Sequence, residues 1–164
     1  MPGRRLEFRC SLAAAQVPCG MAVIRDVQVT FDCESPRRVA RFWCEVMGYE
    51  LAAPPDGFSS WEEFDRTLPE ADRDSWAAAQ DPTGNRPRLF FQRVPETKVV
   101  KNRVHLDVRA GAGLVGEERL AALLAEEQRL IPLGAKRVLL QYADDENESC
   151  LTMQDPEGNE FCLD

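Results

Sequence analysis

Residues 155–159 read DPEGN and residues 81–85 read DPTGN, the same frame with one substitution. In both, proline presets one backbone angle and glycine supplies a positive φ, the chemistry of a tight turn. Such turns are common by themselves, so the flanking order decides whether the chain is duplicated. SWAAAQ (75–80) and PRLFFQRV (87–94) bracket the first copy, while SCLTMQ (149–154) and EFCLD (160–164) bracket the second. All four segments read as strands, so each copy joins a pair of them.

Further out, VIRDVQVTFDC (23–33) alternates Val27, Val29 and Phe31 with Gln28, Thr30 and Asp32, the pattern of a half-buried strand. SPRRVARFWCEVMGY (35–49) then predicts a helix, with Ser35 as N-cap, Pro36 at the first helical position and Gly48 as a left-handed stop. Its apolar stripe is Val39, Phe42, Trp43, Val46 and Met47. A short helix is expected in SSWEEFDRTLP (59–69). In the second half NRVHLDVRA (102–110) alternates Val104, Leu106 and Val108 with His105, Asp107 and Arg109. EERLAALLAEEQRLIPLGAKRV (117–138) predicts a helix with Leu120, Leu123, Leu124 and Ile131 on one side, closed by Pro132 and Gly134. RVLLQYA (137–143) is a strand and DDENE (144–148) a polar loop.

The two halves therefore align as βαβββ units: Gln28 with His105, Gly48 with Gly134, and Asp81 with Asp155. The fold class expected is α+β, with tandem modules over about 22–98 and 99–164. Neither half would cover its own sheet, so the modules should pack into one curved, roughly eight-stranded mixed sheet with helices outside.

Composition limits function. A chain of 164 residues that is 44% hydrophobic and 29% charged holds one domain with a real core. Its net charge of −8 argues against nucleic acid as partner, because that affinity rests on clustered Lys and Arg. No run approaches the roughly 18 apolar residues of a membrane span. Cys10, Cys19, Cys33, Cys44, Cys150 and Cys162 show no CxxC spacing, which favours a reduced, cytoplasmic protein. Residues 1–20 carry too weak an apolar run for a signal peptide and are expected to be a disordered extension, leaving 21–164 as the domain.

SPRRVARFWCEVMGY, NRVHLDV and DPEGNEFCLD together resemble the vicinal oxygen chelate superfamily, which includes glyoxalase I, bleomycin-resistance proteins and extradiol dioxygenases. The resemblance spans about residues 22–164. In metal-using relatives four positions on the concave sheet hold a divalent ion, two from each module. Carried onto this chain, the first-strand positions fall on Gln28 and His105, and one closing-strand position falls on Cys162, where those relatives have glutamate. The fourth falls on Phe90 or Phe91, with Gln92 one slip away, and phenylalanine binds no metal. The resemblance thus implies an incomplete metal set of Gln28, His105 and Cys162, for zinc or nickel if any ion binds. His105 is the single histidine, which excludes a multi-histidine iron site.

The remaining expectations concern a small organic ligand in the concavity. Thr30, Trp61, Gln92 and Asp107 are its candidate contacts, and Glu160, on the same strand face as Cys162, is the candidate general base. Alternation also puts His105 beside Asp107, so a plain His–Asp contact is the structural alternative to metal binding. Two functions follow from the resemblance: a glyoxalase-like lyase or isomerase, or a metal-free protein that sequesters a drug or metabolite. Pairing into a homodimer is implied as well.

Overall fold

The computed structural model describes residues 25–164, so the expected extension over 1–20 lies outside the described residues. Helix α1 (Pro36–Met47) organises the first half. Its stripe buries Val39, Ala40, Phe42, Trp43 and Val46, each large side chain contributing about 1.5–3 kcal/mol when removed from water. Gly48 ends it at φ 65°, in the left-handed region. Ser35 occupies the N-cap position, yet its side chain makes no capping bond. The Glu157 carboxylate instead accepts from the Glu34 and Ser35 backbone N–H groups at 2.6 and 2.8 Å. The residue that distinguishes DPEGN from DPTGN therefore caps a helix of the other module.

Module one comprises β1 (Gln28–Cys33), α1, β2 (Glu50–Leu51), α2 (Trp61–Arg66), β3 (Trp76–Gln80) and β4 (Arg88–Arg93). Module two comprises β5 (Asp107–Val108), α3 (Gly116–Leu130), β6 (Lys136–Gln141), β7 (Cys150–Gln154) and β8 (Glu160–Leu163). The strands form two hydrogen-bonded sheets of four, ordered β1-β4-β3-β2 and β5-β8-β7-β6. In each, the first strand lies parallel to the last and the remaining pairs are antiparallel. Identical strand order in both halves is what a doubled βαβββ unit requires. The eight expected strands are present, assembled as two ladders that meet through side chains.

One core joins the halves. Phe31, Trp43 and Phe161 stand in sequence, with ring centroids 5.0 and 5.2 Å apart. Trp43 donates its indole N–H to buried Asp155 at 3.2 Å, so the second turn is anchored in the core. Asp81, its counterpart, binds only Thr83 and Asn85 of its own turn at the surface. The repeat has kept the turn and divided its tasks.

Two expectations are corrected. Val104 is 77% exposed and β5 is paired only over Asp107 and Val108; carried back along that register, Val104 falls opposite Asn159, one residue before β8 begins. In α3 the buried stripe is Leu123, Glu127 and Leu130, while Ile131 is exposed in a 3-10 turn where the helical phase changes. Glu127 is tolerated there because Arg137 of β6 pairs with it through two hydrogen bonds.

Candidate functional site

Strand alternation gives each sheet an inner face under the helices and an open face. In module one Val29, Phe31, Leu89 and Phe91 join the core, which leaves Gln28, Thr30, Asp32, Arg88, Phe90 and Gln92 on the open face. The register pairs Gln28 with Arg88, Thr30 with Phe90 and Asp32 with Gln92. In module two the open face carries His105, Asp107, Thr152, Gln154, Glu160 and Cys162, with Asp107 opposite Cys162.

That register also settles the position left open in the sequence. Thr30 corresponds to Asp107 in the repeat, so their cross-strand partners Phe90 and Cys162 correspond. The four positions that the resemblance implies for metal are thus Gln28, Phe90, His105 and Cys162. Phe90 has no donor atom. Gln28 has one, but its Oε1 accepts from the Arg88 guanidinium at 2.6 Å, placing a fixed positive charge where an ion would approach. A divalent ion shared two and two between the modules does not fit these residues.

A different donor set lies wholly in module two. His105, Asp107 and Cys162 each offer one ligand atom, all within 4.8 Å of one another. His105 Nε2 stands 3.3 Å from Asp107 Oδ1, the contact expected from their spacing. Imidazole, carboxylate and thiolate suit tetrahedral zinc with one position open, where ligand atoms would sit about 3.5 Å apart. His105 and Asp107 are exposed, so a modest side-chain movement would close the set. Cys162 is buried, with Thr152 Oγ1 at 3.6 Å from its sulfur.

Thr30, Asp32, His105 and Glu160 line a cavity of about 250 Å3 between β1 and the 102–106 segment. Thr30 and His105, one from each module, thus face common space. Gln92 stands beside it and donates to Asp32 at 2.7 Å. Glu160 is held firmly. Burial alone would raise its carboxyl pKa, but hydrogen bonds from the Asn102 backbone N–H, Lys98 and Gln154 overcome that and bring it to about 2. A carboxylate so held is a weak proton acceptor, and a general-base role would require Lys98 to withdraw.

Trp61, a candidate ligand contact from the sequence, is 7% exposed and donates its N–H to the Ala52 carbonyl at 2.9 Å. Its ring meets Trp76 edge-on, with centroids 4.8 Å apart. Trp76 in turn stacks on Phe90 at 5.9 Å and 18°, and the Arg88 guanidinium carbon lies 5.3 Å from the Phe90 centroid. A row of rings ending in a guanidinium thus runs across the open face of module one. Arg88 escaped the sequence reading, although RLFFQR alternates Arg88, Phe90 and Gln92 onto one face.

A larger groove of about 830 Å3 lies between α1, α3 and β5. Most of its charged side chains are already paired: Arg129 with Glu126 and Glu45, and Arg109 with Asp164. The open faces carry the His105, Asp107 and Cys162 donor set and the Arg88 cation without a carboxylate partner among the described residues, and are the better candidate site.

The family described as glyoxalase-like domain matches residues 28–163. No curated protein matches the chain. Among solved structures, a glyoxalase/bleomycin resistance/dioxygenase family enzyme from Burkholderia phytofirmans PsJN is similar at 14% identity and TM-score 0.53, covering 83% of this chain and 94% of that one. The fosfomycin resistance protein FosX from Mesorhizobium loti is similar at 10% identity and TM-score 0.53, covering 87% of this chain and 92% of that one. A FosX variant from Listeria monocytogenes, complexed with Mn(II) and 1S,2S-dihydroxypropylphosphonic acid, is similar at 8% identity and TM-score 0.53, covering 86% and 90%. At these identities the likeness is one of fold. Among the described residues no helix is long and apolar enough to cross a membrane.

Proposed function

Because this chain belongs to the glyoxalase-like domain family, we propose that it holds a small organic ligand on the open face of its two sheets, without a divalent ion shared between the modules. The observation that carries this reading is the Arg88 guanidinium seated on Gln28 beside Phe90, at two of the four positions where metal-using relatives place ligands. Thr30, Asp107 and Gln92 then supply polar contacts, and the stacked Trp76 and Phe90 supply apolar surface. This is the sequestering behaviour of bleomycin-resistance relatives rather than lyase chemistry. Four free thiols among the described residues agree with a reducing, cytoplasmic setting. Edge strand β6 exposes Val138 and Leu139, and Tyr142 just beyond it, which gives a homodimer a surface to use.

One observation favours a second reading. The His105, Asp107 and Cys162 cluster would hold zinc in module two, and such an ion supplies Lewis-acid polarisation of a carbonyl, as a lyase or isomerase step needs. Elemental analysis of protein purified without added metal separates the two, together with melting curves against a fragment library of neutral, anionic and cationic compounds. The binder reading expects little bound ion and a higher melting temperature with selected fragments, because ligands of the folded state stabilise it. Near-stoichiometric zinc or nickel that disappears in His105→Ala and Cys162→Ser would overturn it in favour of the metalloenzyme.

A further inference from the structure

We propose that the ligand of the open face is a planar aromatic carboxylate, its ring set against the Trp76–Phe90 stack and its anionic group held by Arg88. This rests on the binder reading above and adds to it the chemical class of the ligand.

The argument begins with a charge that lacks a counter-charge. Arg88 is half-buried, and among the described residues no carboxylate lies within ion-pair distance of it. Its hydrogen-bond partner is Gln28, a neutral amide. Burial lowers its pKa from the ordinary arginine value, the direction expected for a cation taken partly out of water without compensation. A partly buried charge is costly unless paired, so an anion from solution would be bound with a gain that exposed, hydrated arginines do not offer.

The geometry also fixes how an anion would be met. Gln28 holds Nη1, and the guanidinium carbon lies over the Phe90 ring 5.3 Å from its centroid, so the group is held from two sides. The remaining donors form the rigid fork that matches a carboxylate in two parallel hydrogen bonds. Beyond the fork lies apolar surface: Phe90 and Trp76, both half-buried, stack on each other with planes 18° apart and centroids 5.9 Å apart, and Ala78 is fully buried opposite Phe90. Trp61 braces Trp76 from the side, so the platform is preorganised and little ordering cost remains on binding. The protein carries a net charge of −8, so its general field repels anions; a local cation stacked on aromatics selects for them against that field.

The test uses the full chain with 1-naphthoate, 1-naphthamide and inorganic phosphate, read by calorimetry and by tryptophan fluorescence. Naphthoate is expected to bind at least tenfold more tightly than naphthamide and to quench tryptophan emission. In Arg88→Gln the preference for acid over amide should disappear, with the far-UV spectrum and melting temperature unchanged. The comparison of acid with amide in the wild type keeps the test informative should that variant misfold. Equal binding of acid and amide, an Arg88→Gln protein that retains the preference, or phosphate binding as tight as naphthoate would each overturn the proposal. Failure of both naphthalene compounds in a protein that binds other fragments on this face overturns the carboxylate class alone. Failure of every fragment overturns the binder reading with it.

Discussion

Replacing Asp155 and Asp81 by alanine, one at a time, puts the same substitution at twin positions of the repeat. Asp155 is 1% exposed and its carboxylate accepts four hydrogen bonds, from Trp43 Nε1, the Glu157 and Asn159 backbone N–H groups and Asn159 Nδ2. Without it the buried indole N–H has no acceptor, and an orphaned buried donor costs about 1–3 kcal/mol. The turn loses its backbone bonds too, and Glu157 loses the support that aims it at the start of α1, where a lost cap costs about 1 kcal/mol. These effects share atoms and do not simply add, which places Asp155→Ala at about 3 kcal/mol of lost stability. For a chain of this size that is a fall of roughly 6–12 °C in melting temperature. Asp81 accepts three hydrogen bonds, all at the surface, where water replaces them. Its substitution should leave the midpoint nearly unmoved. Urea unfolding followed by circular dichroism, with thermal melts alongside, measures both. Equal destabilisation by the two variants would refute the claim that the second turn alone is tied into the core.

Three further outcomes follow from other parts of the molecule. Glu160 has a folded pKa of about 2 against an ordinary value of 4.5, so the unfolded chain binds more protons between these values. Its stabilising contribution is complete above about pH 4.5 and is lost as pH falls toward 2, so wild type and Glu160→Gln should converge in urea midpoint across that window; parallel curves would contradict it. Burial raises the thiols of Cys33 to about 12 and of Cys44 and Cys150 to about 11, so peptide mapping after brief iodoacetamide treatment at neutral pH should find all three largely unmodified. Trp61→Phe removes the donor to Ala52 while keeping a ring against Trp76, and should cost about 1 kcal/mol in urea unfolding and leave fragment binding intact, whereas Trp76→Ala should abolish it.

The fold was legible because its signals are local and repeated. Pro36 and Gly48 bound α1, the stripe from Val39 to Val46 names its buried side, and Gly84 and Gly158 sit at φ 70° and 86° in the two turns. Such constraints act within a few residues and survive without knowledge of what lies across the sheet. Departures arose where distant partners decide the outcome. Val104 follows a strand pattern but lies beyond the reach of a four-residue β8, and the capping of α1 fell to Glu157, far along the chain from Ser35.

The site was harder to read for the same physical reason. His105 and Asp107 are neighbours in sequence and their contact could be foreseen, yet the significance of Gln28 turns on Arg88, brought beside it by parallel pairing of β1 with β4. A family position predicts where a side chain points; the residue across the ladder decides whether its oxygen faces a vacancy or a cation. Glutamine beside guanidinium and phenylalanine presents positive charge, opposite in sign to what a bound metal ion requires of its ligands. Charge reversal within an unchanged pair of βαβββ units would be a sufficient physical route from a metal site to the anion site proposed above. Arg88→Glu should reverse it again, abolishing the preference for naphthoate over naphthamide; a variant that kept that preference would show that the sign of this one side chain does not govern the face.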